Sequence, residues 1–69
     1  MSVMSVVVVY TNWRGERRLR RIQPVELTFG SNEWHKEPQW LLEAIDLEDR
    51  DYAHKSFAMS GIHSWEPET

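Results

Sequence analysis

The sequence contains no cysteine. That excludes a disulfide brace, a thiolate metal site and a thiol nucleophile. The three glycines and three prolines are scattered, so neither a phosphate-cradling glycine loop nor a G-x-S-x-G nucleophile turn occurs. No H-E-x-x-H is present, and the acidic run Asp46–Asp51 lacks the glycine and ligand rhythm of a calcium loop. His35, His54 and His63 are too scattered for a metal site, and with these acids they read as surface side chains. No metal or other cofactor is expected. No apolar run approaches the ~20 residues of a membrane helix. The longest, Val6–Tyr10, has no basic stretch before it, so no signal peptide is expected and the cytoplasm is the expected location.

What is present points to a small folded domain. The chain has 69 residues, enough for one domain, and a chain this short buries only about 60% of its unfolded surface. Dense aromatic packing, oligomerisation or attachment to a larger partner can compensate, and the sequence favours the first: four tryptophans, two tyrosines and two phenylalanines give 12% aromatic residues. Charge is unevenly spread. Residues 1–25 carry five arginines against one glutamate, a local +4, and residues 26–69 carry three cations against ten acids, a local −7. Net charge alone does not draw this chain to a polyanion, but one face of it can be basic.

Residues 4–10 are β-branched and end on an aromatic, the pattern of a strand. Asn12 and Gly15 mark a hairpin loop of three to five residues, with Gly15 at positive φ. Residues 17–29 form a second strand with a phase defect. Val25, Leu27 and Phe29 alternate with Glu26 and Thr28 and predict a buried face, whereas Leu19 and Ile22 differ in parity. A β-bulge between Leu19 and Pro24 is the simplest device, with Pro24 at the bulge or on an edge. Residues 30–38 are a loop. Residues 39–45 suit helix or strand; the preceding proline and the following acidic turn favour strand. Residues 52–59 read as a fourth strand, broken by Ser60-Gly61, and residues 62–65 as a closing one, before a flexible tail at 66–69. Trp40, which opens an apolar run, is expected in the core, and Trp13 and Trp34, set in polar loops, partly exposed. The expectation is an all-β fold, a small five-stranded antiparallel barrel over residues 1–65.

The order of these features resembles the WYL domain of bacterial regulators. Tyr10 ends the first strand, Gly15 follows, then Arg20-Arg21-Ile22-Gln23-Pro24, Val25-Glu26-Leu27, Trp40-Leu41-Leu42, Ala44, Asp46 and finally Lys55-Ser56-Phe57-Ala58-Met59-Ser60-Gly61-Ile62. The resemblance spans residues 6–65. It implies an Sm/SH3-like barrel and a ligand-sensing, regulatory role in which basic residues hold a nucleic acid or a nucleotide-like ligand. Such domains usually follow a DNA-binding helix-turn-helix, which this chain lacks. Arg20 and Lys55 stand at the family's basic positions. Leu41 replaces the tyrosine of the name-giving tripeptide, Ala58 a basic residue, and Ser60-Gly61 an Asp-Arg pair.

Five arginines fall within residues 14–21 beside Trp13. Guanidinium forks match phosphate, and an indole stacks on a base. The plain alternative is a solvated hairpin whose arginines pair with acids elsewhere in the chain. Strand geometry allows no more than three of the five on one surface. The candidate ligand residues are Arg20, Lys55, Arg18, Trp13 and Tyr10. The expected function is therefore a non-enzymatic module binding single-stranded nucleic acid or a nucleotide-like anion. The alternative is a protein-interaction or assembly module, pairing with a protein partner or its own copy, in which the replaced basic positions mark a lost ligand site.

Overall fold

The computed structural model describes residues 4–33 and 35–68. Five strands follow one another along the chain: β1 Val6–Thr11, β2 Arg17–Gly30, β3 Gln39–Asp46, β4 His54–Ala58 and β5 Ile62–Pro67, with a single 3₁₀ turn at Met59–Gly61. They form one antiparallel sheet in the order β4-β3-β2-β1-β5. The ambiguous stretch at 39–45 is strand, as its flanks suggested. The all-β expectation and the strand number hold, but no ladder joins β4 to β5 among the described residues, so the sheet is open.

The sheet curls. Tyr10 on β1 reaches across it to meet Phe57 on β4 edge-to-face, with ring centroids 5.0 Å apart. Its hydroxyl accepts a hydrogen bond from the Ala58 backbone N–H at 3.2 Å. Gly61 in the 3₁₀ turn lies against the end of β1. A Cβ there would sit 2.5 Å from the Thr11 carbonyl oxygen and 2.9 Å from the Tyr10 ring, so only glycine fits this approach.

Cross-strand partners in an antiparallel ladder point to the same side, and the register therefore names the inner face. Val6, Val8 and Tyr10 oppose Ile22, Arg20 and Arg18; Leu27 opposes Leu42, which opposes Phe57. The buried cluster comprises Val6, Val8, Tyr10, Ile22, Leu42, Ala44 and Phe57, with Ile62 packed against it. The valine run thus alternates: Val6 and Val8 are buried, Val7 and Val9 half-buried. The register of β2 against β3 shifts between Pro24 and Glu26. Pro24 does sit at the defect, and the bulge lies one step beyond the expected interval.

Three expectations need correction. Val25, Leu27, Phe29 and Trp40 are exposed, not buried. Leu27, Phe29 and Trp40 do point to the inner side, but among the described residues β1 pairs with β2 along Arg17–Ile22, and the rest of β2 and its partner on β3 extend past the covered core as a two-stranded arm. The expected flexible tail is pinned through Glu68. β5 runs to Pro67, the Glu68 backbone N–H donates to the Ser5 carbonyl at 2.9 Å, and the Glu68 carboxylate accepts from Arg21 and Ser5, which hold its pKa below the ordinary value. Asp46, read as a surface acid, is buried. Trp34 and Thr69 lie outside the described residues.

Candidate functional site

Asp46 ends β3 directly opposite Ile22, on the inner face, two positions beyond Ala44 and four beyond Leu42. Arg20 lies two residues before Ile22 on β2, on the same face, and Lys55 is opposite Ala44 on β4. Neighbouring strands are ~4.8 Å apart, so long side chains on β2 and β4 can meet over β3, and they meet at this carboxylate. Asp46 Oδ2 accepts hydrogen bonds from Arg20 Nη2 and from Lys55 Nζ, the latter at 2.8 Å. Its Oδ1 accepts the Glu48 backbone N–H at 3.0 Å, which closes the turn after β3. Burial pushes the Asp46 pKa up, but the bonds from Lys55 and the Glu48 backbone, with the charge and bond of Arg20, outweigh it and hold the group below the ordinary carboxylate value. Two more acids stand near: Asp49 Oδ2 is 3.6 Å from Lys55 Nζ and Glu48 Oε1 is 3.9 Å from Arg20 Nε.

Arg20 is held from a second direction by the Phe57 ring, 5.8 Å from its guanidinium carbon. Its Nε is buried and has no hydrogen-bond partner among the described residues. A donor left in this state costs about 1–3 kcal/mol unless an acceptor reaches it.

Above this cluster opens a cleft of about 550 Å³, within the size range of small-ligand sites. Tyr10, Trp13 and Arg20 form one wall, Lys55, Ser56 and Phe57 another, and the loop before β3 contributes Asn32, Glu33 and His35. His35 Nε2 donates to the Ser56 carbonyl at 3.4 Å, tying that loop to β4. At the open end stands the β1–β2 turn. Asn12 Oδ1 accepts the backbone N–H groups of Arg14 and Glu16 at 2.9 and 3.0 Å, and Gly15 takes a φ of 82°. This Asx-type closure fixes the tip. Trp13 is exposed on it, with the Arg14 guanidinium 4.9 Å from the centre of its ring.

Of the five candidate ligand residues, Arg20, Lys55, Trp13 and Tyr10 line this cleft, although they come from three separate parts of the chain. Tyr10 is nevertheless a core side chain whose hydroxyl is already engaged by Ala58. Arg18 does not line this cleft but an adjacent hollow, with Leu19, Arg20, Lys55 and the acids Asp46, Glu48 and Asp49. The arginine cluster divides as strand geometry requires: Arg18 and Arg20 face the cleft side, Arg17 and Arg21 the other. Arg20 and Arg21 are paired with acids, whereas Arg14, Arg17 and Arg18 have no ion pair among the described residues. The reading from sequence missed Asp46, whose place two residues after Ala44 was a usable signal. It also missed Ser56 and His35, for which alternation gives none.

No family model, curated protein or solved structure matches this chain. Among the described residues, no group of three or more His, Asp or Glu side chains is placed to hold a metal ion, and no helix is long and apolar enough to cross a membrane.

Proposed function

We propose that the chain is a non-enzymatic binding module that holds a single-stranded nucleic acid or a nucleotide-like anion in the cleft between the β1–β2 tip and β4. The observation that carries this reading is the convergence of Arg20, Lys55 and Trp13 on one cleft; Arg18 lines the adjacent hollow that shares Arg20 and Lys55 with it. Trp13 offers a stacking face to a base. Arg18 forms no ion pair among the described residues that would compete with a phosphate. Arg20 and Lys55 already balance Asp46, so they shape the cleft and Arg18 supplies the uncommitted charge. The finer reading takes the curled sheet as a small Sm/SH3-like barrel of the WYL kind, regulatory in role and cytoplasmic. Its support is the order of motifs, the return of β5 beside β1, and the seating of Gly61 on Tyr10.

The test is fluorescence anisotropy with a labelled single-stranded oligonucleotide. With about two phosphates engaged, log affinity falls with log salt at a slope near −1.4. Trp13→Ala weakens binding by roughly 1–3 kcal/mol, the usual worth of one stacked base, and Arg18→Ala flattens the salt slope by about 0.7. Both residues are exposed and outside the Asp46 network, so these variants keep the fold. Unchanged affinity in both variants refutes the site.

A further inference from the structure

β4 is an edge strand: among the described residues it pairs with β3 and with no strand on its other side. The backbone groups of such a strand alternate, one residue bonding its neighbour and the next turning away. Three hydrogen bonds fix the phase. The Ala53 carbonyl accepts from the Asp46 N–H at the β3 side, whereas the Ala58 N–H donates to the Tyr10 hydroxyl and the Ser56 carbonyl accepts from His35. Ala53, Lys55 and Phe57 therefore turn toward β3, and His54, Ser56 and Ala58 turn outward. The outward edge runs along the cleft, since His54, Lys55, Ser56 and Phe57 all line it. At the Ala58 end this edge is capped, by Tyr10 on the Ala58 N–H and by His35 on the Ser56 carbonyl. The groups before the caps, the His54 N–H and carbonyl and the Ser56 N–H, have no hydrogen bond among the described residues.

We propose that the open end of this edge reads the hydrogen-bonding edge of an unpaired base: the His54 carbonyl accepts from the base and the Ser56 N–H donates to it. The contact requires that the cleft be the nucleotide site proposed above. A carbonyl and the next outward N–H on an extended strand form a donor–acceptor pair fixed by the ladder on the strand's other side. A base carries the complementary pair on neighbouring atoms, such as the 6-amino group and N1 of adenine, and its hydrogen bonds splay outward as they leave the ring. In a duplex that same edge is consumed by base pairing, so the contact admits free nucleotides and single strands and rejects duplex. Stacking on Trp13 adds affinity but accepts any base face, and phosphate contacts alone do not distinguish paired from unpaired bases. The caps decide against the other occupant that a free edge attracts, an added peptide strand. Its ladder would be cut at Ser56, because His35 and Tyr10 already hold the next two outward groups. What stays open is short enough for one planar ring and too short for a strand.

The experiment is an amide NMR titration of the full chain with adenosine 5′-monophosphate, with the same nucleotide carrying unsubstituted purine in place of adenine, and with ribose 5-phosphate. The expected result is that adenosine monophosphate moves the Ser56 amide proton downfield and slows its exchange with solvent, whereas ribose 5-phosphate leaves it unmoved. Loss of the 6-amino group should weaken binding roughly two- to tenfold, the worth of one neutral hydrogen bond. Ser56→Pro removes the N–H on the open side of an edge strand, where proline is tolerated, and should weaken adenosine monophosphate by a similar factor. The nucleotide series needs no variant, so it decides the question even where Ser56→Pro does not fold. Saturable shifts on Trp13 and Lys55, with an unmoved Ser56 amide and equal affinity for the two nucleotides, overturn the contact and leave the cleft as a nucleotide site. An absence of shifts in the cleft with every probe overturns the contact and the cleft reading together.

Discussion

Replacing Asp46 by asparagine keeps the shape of the side chain and removes its charge. The cost follows from the geometry. In the parent, Oδ2 receives two charge-assisted hydrogen bonds, each worth ~1.5–3 kcal/mol when shielded from solvent. The Arg20 and Asp46 side chains are 21% and 3% exposed, so that bond keeps about 2 kcal/mol; Lys55 is 41% exposed, and screening reduces its share to about 0.5–1 kcal/mol. Asp46→Asn should therefore lose about 3 kcal/mol at neutral pH. A 69-residue domain has only about 3–10 kcal/mol in all, so the midpoint of thermal unfolding should fall by roughly 12–24 °C. The assay is urea denaturation followed by tryptophan fluorescence, at several pH values. The folded pKa of Asp46 is depressed, so its contribution is complete above the ordinary carboxylate value of ~3.9 and is lost as pH falls below it toward the folded pKa. The gap between parent and variant should therefore be full at pH 7 and close under acid. A gap below about 0.5 kcal/mol at pH 7, or one that is the same at pH 7 and in strong acid, refutes the assignment of Asp46 as the buried centre of the network.

Three further perturbations test the curl of the sheet and its turn. Gly61→Ala places a methyl group against the Thr11 carbonyl and the Tyr10 ring and should cost about 1–3 kcal/mol, read as a lower urea midpoint. Gly15→Ala meets no neighbouring atom but must hold a left-handed backbone, at a cost of about 1–2 kcal/mol; an unchanged urea midpoint in Gly61→Ala would contradict the close approach. Tyr10→Phe leaves the buried Ala58 N–H without its acceptor and should cost about 1–3 kcal/mol, with faster amide exchange at Ala58 as the local sign.

The strands were legible because their residues alternate, and the bulge because Ile22 and Val25 fall out of phase around a proline that cannot donate to a ladder. Alternation names the side to which Leu27, Phe29 and Trp40 point, but not whether another strand covers that side. That depends on β1 beginning at Val6, which pairs with Ile22, so that among the described residues it reaches no further along β2. Asp46 was hidden for a different reason. It begins a run of acids that resembles a solvated turn, and its burial becomes plausible only when it is read as the last member of the series Leu42, Ala44, Asp46. Arg20 and Lys55 were legible as candidates through the WYL-like order of motifs. Their meeting was not legible, because it requires β3 to lie between β2 and β4 with an acid on its inner face.

The most direct test of the binding site is an amide NMR titration of labelled protein with short single-stranded DNA and RNA at low and moderate salt. The account predicts saturable shifts clustered on Trp13, Arg18, Arg20 and Lys55 that weaken as salt rises, while the arm residues Leu27, Phe29 and Trp40 stay unmoved. A flat titration in a well-dispersed spectrum, or shifts confined to the arm, would contradict it.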